Sequence, residues 1–192
     1  MEKKRIVVIG NGMVGHRFIE ELCDKNVEGT FEITTFSEEP RLAYDRVQLS
    51  SFFNGNTAAD LMLTSEEVYD EKGVHYFLNE KVTAIRAENR CVVTDKGREV
   101  FYDKLVIATG SYPFVPPIDG NDQPHCHVYR TIEDLEAIAA SGKQSQSGVV
   151  IGGGLLGLEA ANALKCMGVD THVVEFAPRL MLFSWMRAAA TC

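Results

Sequence analysis

Residues 5–15 read Arg5-Ile6-Val7-Val8-Ile9-Gly10-Asn11-Gly12-Met13-Val14-Gly15, and this stretch decides the fold. A short apolar run ending in glycine is a buried strand, and Met13–Lys25 carries Val14, Phe18, Ile19 and Leu22 at helical spacing. Between them stands Gly-x-Gly-x-x-Gly. The first glycine allows a tight turn, the second lets backbone approach a pyrophosphate, and the third lets helix and strand pack closely. The helix then meets the phosphates with its unpaired N–H groups. Phe31–Phe36 alternates as a second strand, which completes a βαβ opening. An acid at the end of that strand should accept ribose hydroxyls. Glu38 and Glu39 follow Gly15 by 23 and 24 residues, against a usual spacing of about 20. The polar stretch Asn26–Thr30 absorbs the difference.

The pattern recurs. Gly148–Ile151 reads as a strand, Gly152-Gly153-Gly154-Leu155-Leu156-Gly157 as the loop, Leu155–Met167 as a helix and Thr171–Phe176 as a strand closed by Glu175. One such loop is also what an ordinary tight turn looks like, whereas two, each with strand, helix, strand and terminal acid, carry weight together. Between the two, Arg46–Phe53 reads as a short helix and Ser65 caps another. Val74–Leu78, Val82–Ala87, Arg90–Thr94, Glu99–Tyr102 and Lys104–Ala108 read as strands, with Asp95-Lys96-Gly97 a hairpin turn. Pro113, Pro116 and Pro117 mark a crossover, and a helix opens at Thr131 and runs to about Ala140.

The fold class is therefore α/β, a Rossmann-like FAD/NAD(P)-binding fold with two dinucleotide-binding units, the second incomplete. Residues 1–115 form the first segment of an FAD-binding domain, 116–147 a crossover and linker, 148–181 an NAD-binding unit, and 182–192 an aberrant tail. Two such units suggest flavin chemistry, one unit for FAD and one for NAD(P)H. Glu175 favours NADH over NADPH, because a carboxylate binds the ribose 2′-OH and repels a 2′-phosphate; Arg179 stands close by in sequence.

Composition excludes several classes. The chain has 192 residues, 45% hydrophobic and 24% charged, and a net charge of −8 with no basic stripe, so nucleic acid and anionic membranes are not expected partners. Neither a signal peptide nor a membrane span is legible, and the reading is a cytoplasmic protein. Five cysteines, Cys23, Cys91, Cys126, Cys166 and Cys192, form no C-x-x-C pair, which removes a disulfide framework and a redox dithiol. His125-Cys126-His127 reads as a polar loop, not a metal site.

With Ala108-Thr109-Gly110, Ser111-Tyr112-Pro113 and Pro117-Ile118-Asp119-Gly120 added to the two loops, residues 1–181 resemble the FAD-dependent pyridine nucleotide oxidoreductases. Within that family, Gly10–Arg17, the Glu39–Ser50 segment around Tyr44-Asp45-Arg46 and Gly152–Glu159 are most similar to the flavoprotein part of the nitrite reductase large-subunit branch. The resemblance implies FAD bound by Gly10, Gly12, Gly15, Glu39, Arg46, Thr109 and Gly110, and NADH bound by Gly152, Gly154, Gly157 and Glu175. Without it, Arg46 reads equally as a surface cation. The resemblance also puts Glu159 near the nicotinamide and flavin as the catalytic residue; periodicity alone makes it an acid in a helix's first turn, favoured by the dipole. Ser51 departs from the related ferredoxin reductases, which carry lysine there, and so fits the nitrite reductase branch.

The implied activity is hydride transfer from NADH to FAD, as the electron-entry part of an assimilatory nitrite reductase, with iron–sulfur and siroheme centres expected only in a missing downstream region. A ferredoxin or rubredoxin reductase-like flavoprotein and a non-catalytic nucleotide-binding module are the alternatives. Family likeness stops near Met181. Leu182–Cys192 can be encoded so that another frame reads Val-Gln-Leu-Asp-Glu-Gly-Gly-Arg-Asp-Leu, which resembles the family's continuation; Trp185 and Met186, with one codon each, force its aspartate. A single-nucleotide shift near codon 181 is the expectation, with weak FAD retention and a tendency to aggregate as its consequences.

Overall fold

The computed structural model describes residues 3–26 and 29–181, so the tail 182–192 lies outside the described residues. The quoted stretch forms β1 (Lys4–Ile9), a glycine loop and α1 (Met13–Lys25), followed by β2 (Phe31–Phe36). Next come α2 (Glu66–Glu71), β3 (Val74–Phe77), the antiparallel strands β4 (Val82–Arg86), β5 (Cys91–Thr94) and β6 (Glu99–Phe101), and then β7 (Lys104–Ile107). The chain ends its described part with α3 (Ile132–Gly142), β8 (Ser147–Ile151), α4 (Leu155–Cys166) and β9 (Asp170–Val174).

The chain divides into two compact units, one built from residues up to Asp45 with Leu61–Tyr112, the other from Arg46–Asp60 with Pro113 onward. In the first, a four-stranded sheet runs in the order β3-β2-β1-β7 with every pair parallel. A parallel sheet is stable when covered on both faces, which is why β1 is continuously apolar. Ile6 and Val8 pack with Ile19 of α1, Tyr69 of α2, Ile33, Leu42 and Val74. Val7 and Ile9 pack on the opposite face with Phe36, Val92 of β5 and Tyr102. Each such aliphatic side chain, once buried, contributes ~1.5–3 kcal/mol. The architecture is Rossmann-like, and β1 lies where the strand order reverses, between β2 and β7.

In the second unit β8 and β9 form a two-stranded parallel sheet. α4 covers one face, where Gly148 leaves room for Leu164 and Gly157 approaches Val150. Val149, Ile151 and Val174 point to the other face and stay exposed. The helix expected over Arg46–Phe53 is a 3-10 turn, Leu49–Asn54, ended by Gly55 at φ 104°. The reason is local: the Ser51 amide and hydroxyl both donate to the Gln48 carbonyl, at 2.9 and 2.7 Å, a three-residue closure that competes with the α-helical ladder.

Candidate functional site

The two loops share one geometry. Gly10 donates its amide to Phe36 O at 3.0 Å and Gly152 donates to Val174 O at 2.8 Å, so each loop leaves its strand in register with the next strand's end. Gly10 and Gly152 sit at φ 101° and 113°, in the left-handed region where glycine carries no Cβ penalty. A Cβ on Gly15 would overlap the Gly10 carbonyl oxygen, and one on Gly157 would overlap that of Gly152. Helix and loop can approach this closely only because the third glycine is bare.

The helix starts differ from that of α3 in what satisfies them. Thr131 and Asp134 close a capping box on α3. α1 and α4 begin at Gly12 and Gly154 with no side-chain cap and no acid in the first turn. Their first N–H groups therefore remain available to an anion, and the space a Cβ of Gly154 would fill is open. These residues fit the pyrophosphate of a dinucleotide.

In the first unit Thr109 and Gly110 follow β7 directly beside the loop: a Cβ on Gly10 would meet Ala108 O and lie 3.0 Å from Thr109 Cα. Gly10, Gly12, Gly15, Thr109 and Gly110 thus gather at the carboxyl ends of β1 and β7, the crevice in which open α/β sheets bind ligands. Glu39 lies past β2 and accepts from the Tyr44 hydroxyl at 2.6 Å. Glu38 is held by Lys81 at 2.8 Å and by Tyr112 at 2.9 Å. Matching the loops by register puts Ser37, not an acid, at the position of Glu175, so the acids of the first unit sit one and two residues later. The spacing expectation was therefore incomplete. The polar stretch after α1 supplies part of the excess, and a longer helix, a longer strand and this offset supply the rest.

In the second unit Glu175 accepts from the Gly153 amide at 2.6 Å and from the Ala177 amide at 2.8 Å. The N–H of Ala177 first, then that of Gly153, holds its carboxyl below the ordinary carboxylate range. It is a fixed, ionised acceptor beside the loop. Arg46 belongs to this unit and not to that of the first loop; its guanidinium donates to the Arg130 carbonyl at 3.2 Å. Glu159 is the fifth residue of α4, beyond the first turn, so the dipole account of it is corrected. Its charge adds to burial in raising the Tyr129 phenol to about 12.

Sequence reasoning missed a buried network. Tyr69 donates to Asn11 Oδ1 at 2.9 Å and pairs with His16 Nδ1 at 3.0 Å. Nothing in local periodicity signals a partner more than fifty residues away. Among the described residues no cluster of His, Cys, Asp or Glu could hold a metal ion, and no helix is long and apolar enough to cross a membrane. Cys23, Cys91, Cys126 and Cys166 are free thiols.

Two strand–loop–helix cradles of this kind define a Rossmann-like fold of the dinucleotide-binding type. The chain belongs to the pyridine nucleotide-disulphide oxidoreductase family, whose model matches residues 4–191, and it is thus an oxidoreductase by family. It is 55% identical over 181 residues to the nitrite reductase (NADH) large subunit of Escherichia coli (strain K12), covering 94% of this chain and 21% of that protein. It is 50% identical to the nitrite reductase [NAD(P)H] large subunit of Klebsiella oxytoca, covering 94% of this chain and 19% of that one. The chain spans about a fifth of the length of these curated relatives. Among solved structures, an NAD-dependent persulfide reductase from A. fulgidus superposes with a TM-score of 0.85 at 28% identity, over 92% of this chain and 34% of that one.

Proposed function

We propose that this chain is the FAD- and NADH-binding, electron-entry part of a nitrite reductase large subunit. The observation that carries the reading is the pair of glycine loops with one geometry and uncapped helix starts, in a chain half identical to NADH-dependent nitrite reductases. FAD is assigned to the first loop with Thr109, Gly110 and Glu39, and NADH to Gly152, Gly154, Gly157 and Glu175. Arg46 joins the FAD set on the resemblance alone. When bound, FAD supplies hydride acceptance from NADH, a chemistry no side chain offers.

The protein's part is binding and orientation. The amides at the start of α1 and α4 receive the two pyrophosphates. The Glu175 carboxylate, held by two amides, accepts from the ribose and disfavours a 2′-phosphate, which supports NADH over NADPH. Glu159, on α4, is the candidate for contact with the nicotinamide. Ser51 donates its hydroxyl to Gln48 O and accepts from Asn56, and as a serine it offers no ammonium to pair with an acid. The electron acceptor, an iron–sulfur and siroheme assembly, belongs to the remainder of the longer protein that the relatives represent. Free thiols fit the reducing cytoplasm where NADH is supplied.

The test is a titration of the chain with FAD, read by flavin fluorescence, followed by NADH under anaerobic conditions. Saturable quenching and bleaching of the visible flavin band are expected. Binding of neither nucleotide at millimolar concentration overturns the reading; binding without bleaching leaves a nucleotide-binding module.

A further inference from the structure

Asn11 stands between the first two glycines of the first loop, His16 follows the third, and Tyr69 reaches them from α2. All three are polar, and all three are buried in the core, with exposures of 5, 8 and 2%. The Tyr69 hydroxyl has one proton. Given to Asn11 Oδ1 at 2.9 Å, it leaves the oxygen to accept from His16 Nδ1 at 3.0 Å, so loop, α1 and α2 are joined through one atom. His16 and Tyr69 also stack, with ring centroids 5.9 Å apart. The Asn11 side-chain N–H groups find no acceptor among the described residues. An apolar core would pack here without any of these requirements, and buried polar groups that break this local rule tend to mark function.

The second loop is held by a different device. Its residue at the position of Asn11 is Gly153, with no side chain, and the loop is fixed through the Gly153 amide on Glu175. No acid occupies that register in the first unit, where Ser37 stands instead. The first loop lacks a carboxylate anchor there and has a side-chain anchor from beneath.

We propose that Asn11, Tyr69 and His16 form a buried brace that holds the first glycine loop in its phosphate-receiving shape and thereby sets its affinity for the adenine dinucleotide. These are positioning residues. The inference rests on the reading of that loop as the FAD site.

The experiment compares the 192-residue chain with its Tyr69→Phe variant, which loses only the hydroxyl. Flavin fluorescence gives the FAD Kd, and amide hydrogen exchange reports on residues 10–16 and 152–158 without ligand. Tyr69→Phe should weaken FAD about tenfold and speed exchange at 10–16, because two buried groups lose their partner, while 152–158 stays as it was. Val74→Ala, in the same core cluster but with no polar contact to the loop, is the control for plain loss of packing. If Tyr69→Phe fails to fold, Asn11→Ala carries the same comparison. Unchanged affinity and exchange in the variant, or an equal loss in Val74→Ala, overturns the brace and leaves the FAD reading intact. A wild-type chain that does not bind FAD removes that reading and this inference together.

Discussion

Gly154 and Gly157 stand three residues apart and are glycine for different reasons. A Cβ at Gly157 overlaps the Gly152 carbonyl, so Gly157→Ala must push the helix off the loop; a Cβ at Gly154 meets nothing. Gly157→Ala should therefore lose about 1–3 kcal/mol of stability, as overpacked sites do, and NADH binding with it. Gly154→Ala should lose only about 0.5–1 kcal/mol, the difference between glycine and alanine at an N-cap. Its affinity for NADH should nonetheless fall about tenfold, because the methyl takes the space offered to phosphate. Thermal melts with NADH titrations separate the two. A Gly154→Ala protein that binds NADH as before would show that the open space is not a nucleotide's.

At the scale of elements, the α1–α2 contact carries a titratable group. Burial first, and then Lys72 and Arg17, hold the His16 imidazole below its ordinary pKa, against an opposing pull from Glu20. A folded-state pKa below the unfolded one means that the unfolded chain takes the proton first as pH falls. The stability is fully present above about 6.5 and declines below it until the folded pKa is passed. Thermal midpoints should fall as pH drops from about 7.5 to 5.5, and His16→Gln should flatten that slope; an equal slope in both proteins would assign it to other groups. The helices and strands themselves were legible because their periods are local: α1 and β2 occupy the expected residues. The 3-10 turn at Leu49–Asn54 was not, since the Ser51 hydroxyl closing on the Gln48 carbonyl three residues back leaves no trace in hydrophobic spacing. The glycines and Glu175 of the candidate site could be read from the chain, whereas the Tyr69 partner of Asn11 could not, because it depends on which distant segment packs beside the loop; Tyr44, the partner of Glu39, is only five residues away but lies outside any regular period.

Across the whole molecule the two units differ in how their sheets are covered, and sequence order conceals this. The stretch Arg46–Asp60 reads as part of the first domain yet belongs to the second unit, beside α4, which only long-range packing can decide. The first unit's sheet has four strands with core on both faces. Among the described residues the second unit's sheet has two strands, and on the face away from α4 Val149, Ile151 and Val174 are 60, 61 and 55% exposed. Two-stranded sheets are marginal on their own, and local opening is cheapest where few apolar contacts close over the backbone. Amides of Val150 and Val173 should therefore exchange at least about tenfold faster than those of Val7, Val8 and Thr35, and mild denaturant should release them first. NADH, if it binds the second loop, should slow Val150 and Val173 selectively, because a ligand stabilises the unit that holds it. Uniform exchange across both sheets would mean that the units open together, and nucleotide affinity at one loop would then be linked to the packing of the other.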